Sequence, residues 1–341
     1  MGAQLIGDRY GRALRDLRIS LTDRCNLRCV YCMPREVFGA DHVFLPADRL
    51  LSFDQIERVA RVAVAGGVVK LRLTGGEPLL RPAITDLVAR LSHLRTPDGG
   101  HVEIALTTNG TGLARLAGPL REAGLDRVTV SLDSLDPQAF ARISDTKIPL
   151  TRVLDGIAAA RTAGLPVKVN TVVRRGFNDD DIEFIAEHFR GTGVTVRFIE
   201  YMDVGATNGW RLDDVVPSAE VIERIGRRHP LEAVAERGAA TASRWRYVDG
   251  LGEIGVISSV TEPFCGSCTR ARISADGHLF TCLFASAGVD LKPAIEEGDE
   301  AVARALFGTW RSRDDRYSEL RGAETAADNG RGRVEMSFIG G

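Results

Sequence analysis

The sequence predicts an α/β fold built on an open or partial barrel of parallel strands. Three observations carry this prediction. Up to about Tyr201, short runs rich in Val, Ile and Leu alternate with helical patterns, as in buried parallel strands joined by crossover helices. There are six such runs. The residues that stand out by their chemistry follow the runs directly, at the C-terminal strand ends where such folds build their sites. A doubly wound open sheet has the same local pattern and is the alternative.

The expected strands are 16–21, 69–74, 102–106, 127–131, 167–172 and 194–199. Between them the pattern predicts helices over 53–65, 83–94, 112–123, 151–163 and 180–190. Ser52 with Gln55 reads as a capping box at the start of the first helix. Asn178 and Asp179 are expected to cap the last. Gly124 and Gly164 fall where helices should stop. After Tyr201 the rhythm changes. Residues 205–216 read as a long loop. A hairpin is expected over 244–257 around Gly250 and Gly252, and a second over 270–282, turning at Ala275, Asp276 and Gly277. The expected units are a barrel over 1–202, a smaller domain over 203–322 and a polar, mobile tail over 323–341.

Of 341 residues, 44 are Lys or Arg and 46 are Asp or Glu, a net charge of −2. That balance argues against a nucleic-acid binder but permits a local basic pocket for a phosphorylated small molecule. No apolar run reaches the roughly 18 residues of a membrane span. The N-terminus mixes charge with glycine, unlike a secretory signal. A cytoplasmic protein without membrane association is expected. The six cysteines form two tight groups, Cys25, Cys29 and Cys32, then Cys265, Cys268 and Cys282. In a cytosolic chain such groups point to metal or catalysis rather than disulfides.

Three thiolates in each group is the informative count. A closed zinc site wants four ligands, and an electron-transfer iron–sulfur cluster normally has four cysteines. Three cysteines on a four-iron cube leave one iron open to a small molecule. The competing readings are zinc completed by a distant His or Asp, with His42 nearest the first trio and His278 near the second, and, for the second trio, a cluster used only for electron transfer. Residues 18–34, RISLTDRCNLRCVYCMP, resemble the signature of the radical S-adenosylmethionine (SAM) superfamily. Thr74-Gly-Gly-Glu-Pro78 is similar to its glycine motif, and Ser131-Leu-Asp133 ends the fourth strand. Glycines allow close backbone approach. Asp133 or Ser134 could otherwise cap a helix. The resemblance implies that the open iron holds the methionyl end of SAM, that one electron cleaves its sulfonium, and that Tyr31, Gly76, Ser131 and Met202 surround it.

Residues 263–282, PFCGSCTRARISADGHLFTC, resemble one family within that superfamily, the GTP 3′,8-cyclases of molybdenum cofactor biosynthesis. So do 71–78, 168–171, 174–179, 197–203 and the terminal SFIGG. The resemblance implies a partial (β/α)6 TIM-type barrel whose open side is closed by a smaller C-terminal α+β domain. It implies two [4Fe-4S] clusters, the second ligated by guanine, with GTP between them. Candidate GTP contacts are Arg18, Arg72, Thr107, Lys168, Arg197, Arg270, Ala271 and Arg272. Arginine suits phosphate through its planar donor fork. The implied catalytic set is Arg270, Arg272 and the terminal Gly340 and Gly341, the tail entering the site. The implied reaction takes the 3′ hydrogen of GTP and joins that carbon to C8. Implied partners are a flavodoxin- or ferredoxin-type reductant and, downstream, cyclic pyranopterin monophosphate synthase; a homodimer is compatible with the sequence. Competing functions are a peptide-modifying radical enzyme with auxiliary clusters and a zinc-stabilised binding module.

Overall fold

The computed structural model describes residues 6–234, 238–321 and 332–340. Six strand–helix repeats open the chain: β1 (Asp16–Ser20), α1 (Phe53–Ala65), β2 (Lys70–Thr74), α2 (Ile84–Ser92), β3 (Glu103–Thr108), α3 (Leu113–Glu122) and β4 (Arg127–Ser131). Then follow α4 (Pro137–Ile143), α5 (Thr151–Thr162), β5 (Val167–Val173), α6 (Ile182–Phe189) and β6 (Thr195–Glu200). These six strands are parallel and lie in chain order. A doubly wound sheet would reverse its order at a switch point. Unbroken order is the mark of a barrel wall, and the wall here stays open.

The rest of the chain contributes α7 (Ser218–Arg228), β7 (Leu231–Ala233), β8 (Ser243–Tyr247), β9 (Glu253–Ile257), β10 (Arg270–Ile273), β11 (His278–Phe280), β12 (Val289–Asp290), α8 (Lys292–Glu297) and α9 (Asp299–Arg311). Both expected hairpins form, β8 with β9 and β10 with β11. They extend the same sheet: β9 lies parallel to β6, and β10 lies parallel to β1. Among the described residues the result is one twelve-stranded sheet with β12 and β7 at its edges. α7 and α9 fall outside the elements expected from the sequence.

Each barrel strand alternates. One face, with Leu17, Ile19, Leu71, Leu73, Ile104, Leu106, Val128, Val130 and Val169, packs on the helices through Ile56, Val59, Leu87, Leu91, Leu120, Ile157 and Ile185. The other face is polar and looks into the barrel. The Ser52–Gln55 capping box is present; losing it would cost about 1 kcal/mol. Two expected caps are not formed. The amide of Asn178 donates to the carbonyls of Asp133 and Val172, tying β5 to the end of β4. Asp179 accepts from the Gly176 amide. The cap of α4 is Asp136, accepting from Ala139, rather than Asp133 or Ser134. Among the described residues no helix is long and apolar enough to cross a membrane.

Candidate active site

The first cysteine loop leaves β1 and lies against the loop after β2. Gly76 N donates to the Thr22 carbonyl at 2.7 Å and Glu77 N to that of Arg24 at 2.8 Å. Gly75 has φ +142°, and a Cβ there would sit 2.5 Å from Thr22 O; one on Gly76 would sit 2.4 Å from Arg24 O. The close approach that requires these glycines is therefore that of the cysteine loop itself. Arg28 N and Val30 N tether the loop to the carbonyls of Ser144 and Ile143. The Arg28 guanidinium grips the Cys25 carbonyl at 2.7 Å.

Burial raises all three thiols. Cys25 is also raised by Glu77, to about 11, while Cys29 is pushed well up by burial and by Cys32 and Cys25. Cys32 is raised by burial and then by Cys25. Three thiols buried this close together repel one another once ionised, and a bound cation would reverse that penalty. His42 stacks between Phe38 and Phe44, with ring centroids 4.7 and 4.6 Å away. Among the described residues no three His, Cys, Asp or Glu side chains converge as a single metal ion would demand.

Tyr31, Gly76, Ser131 and Met202 all line the cavity beside this loop. The Tyr31 hydroxyl donates to Asp133 at 2.6 Å, and Asp133 also accepts from Val172 N at 2.8 Å. Burial raises the Asp133 carboxyl to about 6. Glu77 is fully buried, accepting from Thr108 Oγ1 and Asn109 N at 2.7 Å and Leu79 N at 2.9 Å. It thereby fixes Asn109, whose amide lies 3.7 Å from the Cys25 sulfur.

The second cysteine loop is pinned by buried charges. Asp8 holds Arg12 at 2.6 Å and Arg313 at 3.1 Å. Arg12 donates to the Cys265 carbonyl at 2.7 Å and Arg313 to that of Cys268 at 3.1 Å. Burial raises the Cys268 thiol, but the charges of Arg270 and Arg313 outweigh it and bring the thiol to about 6. Cys282 is raised by burial to about 11. His278 sits at the hairpin turn, 3.1 Å from Asp276, and does not line the cavity.

One cavity of about 440 Å³ touches all six cysteines. Arg18, Arg72, Thr107, Lys168, Arg197, Arg270 and Arg272 line it. Burial first, and then like-charged neighbours, lowers Arg18 to about 9, Lys168 to about 8, and Arg72 and Arg197 to about 10, although Asp16 partly restores Arg18 and Arg72. Arg272 falls well below its ordinary value for the same reasons. Among the described residues the buried Nε atoms of Arg18, Arg72 and Arg197 have no partner. A pit of crowded, under-satisfied cations calls for a polyanion. Ala271 points the other way, into the core. Arg272 donates to the Gly340 carbonyl, which brings the tail to the cavity wall. Gly341 lies outside the described residues, as do the end of the expected 203–322 unit and the first part of the tail. Sequence reasoning missed Asp16, Lys70, Arg127 and Asn170, which also line the cavity. The signal was the strict polar–apolar alternation of strands such as KLRLT and RVTVS.

Comparisons with known proteins find relatives over nearly the whole chain. Residues 19–189 match the Radical SAM superfamily and residues 194–319 match Molybdenum Cofactor Synthesis C. A protein of Acidothermus cellulolyticus named GTP 3′,8-cyclase is 52% identical over 99% of this chain and 99% of its own length. One of the same name from Xanthomonas axonopodis pv. citri is 53% identical, with 98% of each chain covered. Among solved structures, SuiB of Streptococcus suis bound to precursor peptide SuiA superposes with a TM-score of 0.60 at 15% identity, over 91% of this chain and 67% of that one. That likeness bears on the fold alone.

Proposed function

This chain belongs to the GTP 3′,8-cyclases of the radical SAM superfamily, and we propose that its cavity holds GTP between two iron–sulfur clusters. As a member it is a lyase that converts GTP to (8S)-3′,8-cyclo-7,8-dihydroguanosine 5′-triphosphate, the first step of molybdenum cofactor biosynthesis. It uses SAM and an iron–sulfur cluster. The count of two [4Fe-4S] clusters rests on the two cysteine trios that face one cavity.

Cys25, Cys29 and Cys32 would hold the SAM cluster, and Cys265, Cys268 and Cys282 the cluster that meets guanine. When bound, the first cluster with SAM supplies a 5′-deoxyadenosyl radical, and the second supplies an open iron for the purine. The protein's own residues bind, orient and shield. Tyr31, Gly76, Ser131 and Met202 flank SAM. Arg18, Arg72, Lys168 and Arg197 take the triphosphate, with Thr107 fixing Arg72 at 2.9 Å. Arg270 and Arg272 bridge the substrate to the second loop, Ala271 contributing backbone only. Gly340 fills the wall beside Arg272. The partners we assign are a flavodoxin- or ferredoxin-type reductant and the downstream cyclic pyranopterin monophosphate synthase, in the cytoplasm. We take 1–202 as the barrel and 203–322 as the unit that completes its open side.

The observation that carries this reading is the cationic pit between two three-cysteine loops. Anaerobically reconstituted protein, given SAM and dithionite, should form 5′-deoxyadenosine only when GTP is added. Equal formation without GTP, or with a peptide in its place, would reject the assignment.

A further inference from the structure

A second concavity, of about 570 Å³, lies on the other side of the first cysteine loop. Its walls are the N-terminal turns of α3 and α5 and the segment between α4 and α5, with Asn26 and Thr111 among its lining. Arg115, Lys147 and Arg152 line it, and all three are exposed. Among the described residues none of them has an ion-pair partner. The one acidic side chain in the lining, Glu77, is turned inward to Thr108, Asn109 and Leu79. Arg115 and Arg152 also stand in first helical turns, where the backbone already presents positive charge. The groove is thus positive without internal compensation, in a chain whose net charge is −2.

Its position is as telling as its charge. Asn26, on the groove wall, is the residue after Cys25. Asn26 donates to Thr111 at 2.9 Å and accepts from Asn109 at 2.8 Å, and the same Asn109 amide reaches the Cys25 sulfur at 3.7 Å. The opposite wall follows directly from Ile143 and Ser144, whose carbonyls hold Val30 and Arg28 of the cysteine loop. The groove therefore reaches, through Asn26, the same loop whose cysteines meet the substrate cavity.

We propose that this groove is the docking surface for a small acidic one-electron carrier protein, seated by Arg115, Lys147 and Arg152 over Asn26. The proposal rests on the reading of Cys25, Cys29 and Cys32 as the first cluster loop. One electron leaves the carrier, which is oxidised, and enters the centre held by that loop, which is reduced; no bond forms between the proteins. Electron-transfer encounters are small and electrostatically steered, so three unpaired cations suffice to orient the partner.

The test uses reconstituted holoenzyme and recombinant flavodoxin. Reversal of all three charges, Arg115→Glu with Lys147→Glu and Arg152→Glu, should weaken flavodoxin binding at least about tenfold at low salt and flatten its salt dependence. Flavodoxin-driven 5′-deoxyadenosine formation should fall while dithionite-driven formation stays. Should the reversal variant fail to fold, the Gln triple replaces it, with a smaller loss expected. Unchanged affinity and salt slope in a folded variant would overturn the docking site. Absence of GTP-dependent, dithionite-driven turnover in the wild type would instead strike the proposed function, which separates the two failures.

Discussion

Gly340 shows how one residue couples the tail to the reaction site. Its φ is +75°, and a Cβ there would lie 2.3 Å from Cγ2 of the buried Thr74. Its carbonyl takes a hydrogen bond from Arg272, one of the cavity cations. Gly340→Ala therefore has to lift the tail off the wall. A displacement of that size near reacting atoms costs about a hundredfold in turnover. Turnover should fall while iron per chain stays at the wild-type level, as read by GTP consumption alongside iron analysis. Full turnover would mean the tail contact is incidental. The terminal glycines were visible in the sequence, but the reason for glycine was not. It depends on Thr74, more than 250 residues earlier in the chain.

At the scale of elements, the second cysteine loop hangs on Asp8, Arg12 and Arg313, which come from opposite ends of the chain. Their side chains are almost wholly buried, and the two arginines hold the carbonyls of Cys265 and Cys268. Removing one member strands the others. Asp8→Ala should destabilise the fold by roughly 3–5 kcal/mol. Iron loading at the second cysteine loop should suffer before that at the first. Denaturant titration with iron counts in Cys25→Ala and Cys265→Ala backgrounds would show the difference; equal loss at both loops would refute it. Asp203 ties the tail in a similar way, meeting Tyr317, Arg321 and Arg333. Asp203→Ala should lower cyclisation as Gly340→Ala does, leaving the absorbance of loaded clusters unchanged; wild-type turnover in a folded variant would dismiss the tether. The barrel elements were legible because each strand has an apolar face and each helix an amphipathic one. α7 and α9 have the same kind of stripe, through Val221 and Ile225 and through Val302, Leu306 and Trp310. What α9 packs on is tertiary: its Phe307 meets Gly66 at the end of α1, far away in sequence. Asn178 reads locally as a cap, yet tertiary contacts recruited it to join β4 and β5.

For the whole molecule, charge is segregated rather than large. The chain as a whole carries −2, while the inward faces of β1, β2, β4, β5, β6 and β10 bring arginine and lysine to a single cavity. Composition hid this, because all but a few of the acids, Asp16, Asp133, Glu253 and Asp315 among the exceptions, lie elsewhere; the period-two alternation of each strand recorded it. The segregation has a thermodynamic consequence at Lys168. Burial, and then Arg197 and Arg127, lower its ammonium from 10.5 to about 8. Between those two values the unfolded chain holds a proton that the folded chain has released, so apo stability rises with pH across that window. Below it both states are charged and the penalty is complete. Lys70 behaves alike, lowered to about 8 by burial and then by Arg72. A bound triphosphate supplies the missing negative charge and raises both groups again, so binding GTP at about pH 8.5 must take up protons. Calorimetric titrations in two buffers of different ionisation enthalpy measure that uptake directly. Lys168→Met should reduce it and weaken GTP binding, whereas its removal of a buried charge should flatten the rise of apo stability with pH. If GTP binds with no proton uptake, or if the variant takes up as many protons as the wild type, the polyanion does not sit on this face of the sheet.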